Sequence, residues 1–115
     1  MSDRELLELA AKAAGIELMY MTQLHQSREP EEFIACWNPL TDDGDALRLA
    51  VKLRLNLIFE EWDGVEYVCA VPHRSHQGQD EVIDDDENAA TRRAIVRAAA
   101  EIGKAMTATP KGGAA

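Results

Sequence analysis

The chain has 115 residues, of which 46% are hydrophobic and 29% are charged, and its formal net charge at pH 7 is −9. This length fits a single globular domain, and the composition is ordinary for one. The negative charge disfavours nucleic acids and anionic membranes as partners, because binding to either relies on Lys and Arg side chains that face phosphates. An acidic surface instead favours basic protein partners.

The two cysteines, Cys36 and Cys69, each lie in an apolar, strand-like stretch. A disulfide scaffold needs a denser set, so we expect two buried, reduced thiols. The first ten residues carry charge from the third position and lack the apolar core of an export signal. No stretch approaches the roughly 18 apolar residues of a membrane helix. These features predict a cytoplasmic protein.

The N-terminal residues predict a helix over 3–14. Ser2 and Glu5 have the spacing of a capping box, good helix formers follow, and Gly15 suits the left-handed position just past a helix end. A second helix is predicted near the C-terminus, where the alanine-rich stretch 88–106 carries an apolar stripe. We expect the stripe to be buried; it consists of Ala94, Ile95, Ala98, Ala99, Ile102 and Met106.

Between these helices lie four apolar stretches that predict strands, at 16–22, 32–37, 55–61 and 65–71. The last two flank Asp63-Gly64, a dipeptide typical of a two-residue hairpin turn. Most of these strands are apolar on both faces, which indicates a sheet covered on both sides. The polar segment 72–86 predicts a surface loop.

The stretch TDDGD (41–45) has two readings. A calcium loop would need oxygens at alternating positions and a distant Glu, and this stretch has neither. We interpret it as the start of a central helix, with Thr41 or Asp42 as the N-cap. The predicted fold is therefore α+β: an α-β-α sandwich with a four-stranded, mainly antiparallel sheet covered by helices, in the order α-β-β-α-β-β-α. Residues 1–106 would form the single domain and 107–115 a flexible tail.

Three segments resemble the phage ABA sandwich domain family: WNPLTDDGDALRLAVKL (37–53), ELLELAAKAAGIE (5–17) and ATRRAIVRAAAEIGKAM (90–106). The resemblance covers about half of the chain, and its first block is the most specific. It implies the α-β-α sandwich and a phage or prophage gene, hence a bacterial host cytoplasm. It implies no activity, because the family has no catalytic motif that carries over to these positions.

Two side-chain sets merit testing in the structure. Arg93 and Arg97 are one turn apart and could hold an anion, with Arg74, His73 and His76 completing a pocket for a nucleotide-like ligand; the alternative is pairing with acids on a solvated face. Cys36, Cys69, His73 and His76 offer the donor types of a zinc site, although their spacing is not that of a recognised finger. We expect neither a metal nor a cofactor.

No recognisable catalytic set or phosphate-binding glycine loop is present, so the sequence favours a non-enzymatic protein. Glu60 and Glu61 are interpreted as surface acids of an edge strand. Three functional hypotheses follow. The chain binds a host protein, such as a defence component, through its acidic surface or loops; it sequesters a small anionic ligand such as a signalling nucleotide; or it is an assembly module that forms a homo-oligomer. We prefer the first.

Overall fold

The computed structural model describes residues 1–16, 37–75 and 77–108. The strands predicted at 16–22 and 32–37 lie outside this range except for their terminal residues Ile16 and Trp37, so they stay predictions. The described part is an α+β fold of three helices and a three-stranded antiparallel sheet. None of the helices in this part has the length and apolar character needed to cross a bilayer.

Helix α1 (Asp3–Ala14) has the predicted bounds, and both of its predicted caps are confirmed. The Glu5 backbone N–H donates to Ser2 Oγ at 3.1 Å, and the Ser2 N–H donates to the Glu5 carboxylate at 2.9 Å. These hydrogen bonds lower the pKa of Glu5, the one to the Ser2 backbone most of all. The helix ends at Gly15, whose φ of 76° is left-handed. Local sequence alone therefore sets both ends of α1.

Helix α2 (Asp43–Leu53) begins inside the TDDGD stretch, directly after Asp42. The Asp42 carboxylate accepts the Asp45 N–H at 2.8 Å, which makes Asp42 the N-cap. The Thr41 hydroxyl instead donates to the Asn38 carbonyl at 3.4 Å. Of the two predicted caps, Asp42 is confirmed and Thr41 is wrong, because Thr41 belongs to the preceding turn.

Replacing the N-cap carboxylate should weaken α2. We expect Asp42→Ala to lower the free energy of unfolding by about 1 kcal/mol, because the Asp45 N–H loses its acceptor. Thr41→Ala is the matched control, with an expected loss of less than about 0.5 kcal/mol. Urea unfolding followed by circular dichroism measures both. Equal losses for the two variants would contradict the assignment of the cap to Asp42.

The sheet consists of β1 (Leu55–Trp62), β2 (Val65–Pro72) and β3 (Gln79–Ile83), in the order β1-β2-β3. The predicted hairpin is confirmed: Trp62 pairs with Val65 across the turn, and Asp63 and Gly64 have φ values of 55° and 81°. Two successive positive φ values are those of the turn that matches the twist of a hairpin.

The prediction that 72–86 is a surface loop is wrong for part of its length. Strand β3 lies inside this segment and pairs along β2, with Val82 opposite Tyr67 and Glu81 opposite Val68. Only Val82 and Ile83 are apolar in β3, so its own sequence gives a weak strand signal. The hydrogen bonds and cross-strand contacts with β2 therefore stabilise β3 as a strand, although its own sequence has little strand preference. After α2 the described order is therefore β-β-β-α, with one strand more than predicted there.

Helix α3 (Glu87–Ala108) lies between the sheet and the other helices. One side packs Ala90, Ala94 and Ala98 on Val68 and Ala70 of β2. The opposite side packs on α1 and α2 through a second set of small or branched residues: Ile95, Val96, Ala99 and Ala100. The helix is thus buried on two sides, which its alanines make possible.

Two predictions for the C-terminal helix need correction. Met106 is exposed and not part of the buried stripe, and Ile102 is only half-buried. The prediction that residues 107–115 form a flexible tail is wrong for Thr107 and Ala108, because α3 continues through both and the Thr107 hydroxyl donates to the Gly103 carbonyl at 3.0 Å. Residues 109–115 lie outside the described residues.

The two faces of the sheet differ. Successive side chains of a strand point to opposite faces of the sheet. Val68 and Ala70 of β2 lie on the face that α3 covers. The opposite face carries Ile58, Trp62 and Val82, all exposed. In the part of the chain that the structure describes, helices cover only one face. The predicted cover on both sides is not seen there.

Candidate functional site

The arginines of α3 bind acids on three different elements. Arg92 pairs with Asp43 of α2, and its Nε donates to the Leu40 carbonyl at 2.8 Å. The other two, Arg93 and Arg97, are the pair that the sequence offered either as an anion site or as partners of acids. Arg93 pairs with Asp3 at 2.9 Å, at the start of α1.

Arg97 binds in another direction, to β3. It pairs with Glu81 and donates to the Asp80 carbonyl at 2.9 Å. Each guanidinium is therefore matched by a carboxylate within the fold. The structure does not bring Arg93 and Arg97 to a common anion, which agrees with the alternative of pairing with acids.

The remaining residues of the predicted pocket lie after β2. The Arg74 Nε donates to the His73 Nε2 at 3.2 Å, so these two exposed side chains do meet. Arg74 lines a concave surface together with Glu101 of α3, whereas His73 lines another one together with residues of α2. His76 lies outside the described residues.

The zinc hypothesis is tested only for two of its four residues, because Cys36 and His76 lie outside the described part. Within that part, no group of three or more His, Cys, Asp or Glu side chains has the geometry to hold a metal. Cys69 is a free thiol and is half-buried. Burial, reinforced by a hydrogen bond and the charge of Asp80, raises the pKa of Cys69 to about 11. The thiol therefore stays protonated and a weak nucleophile at neutral pH.

A concave, acidic surface lies where the hairpin end of the sheet meets the start of α3. This acidic hollow has a volume of about 490 Å³. It combines carboxylates with aromatic and apolar side chains: Phe59, Glu60, Glu61, Glu66, Tyr67, Ile83 and Glu87. None of its four glutamates forms an ion pair with another described residue.

Two glutamates of the acidic hollow face each other directly. Glu61 and Glu66 are a cross-strand pair two positions before and after the Asp63-Gly64 turn. Like charges directly opposite each other destabilise a hairpin, and opposite charges at the same positions would stabilise it. This pair is therefore poorly explained by stability.

A second surface, which we call the basic groove, lies between α2 and the start of β1. Its volume is about 380 Å³, and its lining is mostly apolar: Leu47, Ala50, Val51, Leu55 and Leu57, with Arg54 and His73. Leu47 and Val51 are 61% and 56% exposed. Arg48 and Lys52 extend the groove along α2. The two surfaces thus carry opposite charge at opposite ends of β1.

Sequence reasoning identified Glu60 and Glu61 but treated them as isolated surface acids. The Asp63-Gly64 turn already implied that Glu61 faces Glu66, since a two-residue turn fixes the register. The convergence of Glu87 could not be read from the sequence, because it depends on how α3 starts under the hairpin. The basic groove was not predicted, because its lining joins α2 to the start of β1 and to His73, and the sequence does not show that these elements pack together.

Comparisons with family models, with curated proteins and with solved structures find no match to the chain. The assignment of function therefore rests on the geometry of these two surfaces and on the residues that form them.

Proposed function

We propose that the chain is a non-enzymatic binding module that holds a basic segment of a host protein in the acidic hollow. The observation that carries the proposal is the Glu61–Glu66 cross-strand pair, which has no cationic partner among the described residues. Phe59 is 61% exposed at the edge of the hollow. An aromatic face beside carboxylates suits a Lys or Arg side chain, because both the ring and the carboxylates attract the cation.

The origin and the complete fold belong to the same proposal. The resemblance of residues 37–53 to the phage ABA sandwich domain family supports a phage or prophage gene whose product acts in the bacterial cytoplasm. A host defence component is the kind of partner that such a protein would engage. The four-stranded sandwich would require at least one strand from residues 17–36 in addition to the described β1, β2 and β3.

Neutralising the facing glutamates should weaken binding of a basic ligand. We expect Glu61→Gln/Glu66→Gln to reduce affinity for a Lys- and Arg-rich peptide by about 10-fold, since two exposed ion pairs contribute about 0.2–1 kcal/mol each and 1.4 kcal/mol is tenfold. Calorimetric titration at low and high salt measures this. The wild-type affinity should also fall as salt rises.

The matched control is Asp84→Asn/Asp85→Asn, which removes the same charge from exposed residues outside the acidic hollow. This variant should keep wild-type affinity apart from a small long-range effect. Affinity capture from host lysate with the same three proteins identifies the partner: a protein enriched by wild type and by the control, and lost with the glutamine variant, would carry the basic segment. Equal peptide binding by both variants would refute the proposal.

A further inference from the structure

The outer edge of β1 has the features of a strand that pairs. Trp62 and Val65 flank the two-residue turn as a hydrogen-bonded pair. Hydrogen-bonded pairs recur at every second position of an antiparallel ladder, so Ile58 and Cys69 form another one. The N–H and C=O groups of the intervening Leu57 and Phe59 therefore point away from β2, to an edge that pairs with nothing in the described part of the chain. Strand β1 runs for 8 residues without Lys, Pro or a bulge, and its two charged residues, Glu60 and Glu61, lie next to each other at the hairpin end.

Large apolar side chains are exposed along the same strand and beside it. Leu57 and Phe59, on the α3 side of the sheet, are 37% and 61% exposed, and Ile58 and Trp62 are exposed on the opposite side. Leu47 and Val51 line the basic groove together with Leu57, on the α3 side. Exposed apolar side chains grouped along an unpaired strand edge are typical of a protein interface.

The surface formed by β1 and α2 is complementary to a second copy of itself that is rotated by a two-fold axis. The start of β1 carries the apolar basic groove, with Lys52 and Arg54, and its end carries the aromatic acidic hollow, with Phe59 and Glu61. Two antiparallel copies of β1 would place each end against the opposite end of the other copy. Both apolar contacts and charge then match twice, by symmetry.

We propose that this chain forms a two-fold symmetric dimer in which the β1 strands pair antiparallel, centred on Ile58. In that register Leu57 faces Phe59 of the partner subunit, and Leu55 faces Glu61 of the partner subunit. Glu60 faces the Asn56 amide of the partner subunit, a donor, and no glutamate faces another. Phe59 of each subunit then reaches the basic groove of the other, where Lys52 approaches Glu61 of the partner subunit.

This inference rests on the proposed function and adds regulation to it. Dimerisation covers the acidic hollow with the basic end of α2 from the second copy. A basic host segment then competes with self-association, so the host protein binds the monomer and shifts the equilibrium away from the dimer.

A charge exchange tests the pairing. Lys52→Glu and Glu61→Lys should each raise the dimer dissociation constant at least about 10-fold, because each homodimer acquires two like-charge contacts. An equal mixture should recover wild-type affinity within about 3-fold, since opposite charges then meet at both symmetric contacts. Analytical ultracentrifugation over a concentration series measures the three constants, and thermal unfolding verifies that each variant is folded.

Val51→Asp provides a second test that leaves the acidic hollow unchanged. It should disrupt the dimer while keeping or raising affinity for the Lys- and Arg-rich peptide. Val82→Asp, the same change at an exposed position on β3, should leave the dimer intact.

Several outcomes would overturn the inference. A wild-type chain that stays monomeric at all concentrations would do so. So would a monomer whose Leu57 and Phe59 amides resist hydrogen exchange, since residues 17–36 of the same chain would then cover the edge. A mixture that fails to associate better than either variant would refute this register. If the wild type is a monomer that binds the peptide, the dimer is refuted and the proposed function stands. If the wild type forms the dimer but the Val51→Asp variant binds no peptide, the proposed function is refuted and the dimer stands.

Discussion

Gly103→Ala should destabilise the protein by about 3 kcal/mol, near the upper end of what one added methyl group costs in a packed core. Gly103 is buried in α3, where α1 crosses it. A methyl group there would overlap with the backbone carbonyl of Leu9. Because the obstacle is backbone and not a side-chain end, α1 and α3 would have to separate. Urea unfolding with tryptophan fluorescence measures the loss.

The control is Gly44→Ala in the first turn of α2. A methyl group at Gly44 would meet the ends of the Arg48 and Asp42 side chains at 3.3 Å. The exposed Arg48 guanidinium can move, and the Asp42 carboxylate needs to shift by only a few tenths of an ångström, which is compatible with its hydrogen bond to the Asp45 N–H. We expect the free energy of unfolding to change by less than about 0.5 kcal/mol. If Gly103→Ala were as stable as Gly44→Ala, the close crossing of α1 and α3 would be wrong.

Arg92→Ala should cost about 2 kcal/mol, more than removal of any other arginine on α3. The Arg92 side chain is 17% exposed and makes two contacts, an ion pair with Asp43 and a hydrogen bond to the Leu40 carbonyl. Truncation leaves that partly buried carbonyl without its donor. It also releases the turn before α2 from α3. The same unfolding assay measures the effect.

Arg93→Ala provides the comparison, because its ion pair with Asp3 is more exposed. Surface pairs of this kind contribute about 0–1 kcal/mol. High salt should therefore reduce the loss for Arg93→Ala more than for Arg92→Ala. A larger loss for Arg93→Ala would show that the Leu40 contact contributes little.

The elements that the sequence predicts well are those with local signals at both ends. Helix α1 has a capping box and a terminal glycine, and the β1–β2 hairpin has Asp63-Gly64. Strand β3 was missed because it has 5 residues with charged or polar side chains among them, and pairing with β2 defines it. The strand propensity of a sequence is a weak predictor where tertiary contacts determine the secondary structure.

The candidate site was predictable only in part. The facing of Glu61 and Glu66 follows from the turn type, so one half of the acidic hollow could be deduced from residues 60–67 alone. The ion-pair partners of Arg93 and Arg97 could not be deduced from the sequence, since Asp3 and Glu81 are distant from them along the chain. Side chains that meet across such distances are set by packing, which a linear pattern does not contain.

The double burial of α3 has a consequence for biosynthesis. Strand β2 on one side and helix α1 on the other both bury their apolar residues against this helix, which follows them in chain order. While the ribosome is still making residues before Glu87, neither half has its packing surface. Nascent α1 and the nascent hairpin therefore stay exposed to chaperones and proteases until α3 emerges, and the two halves then fold together.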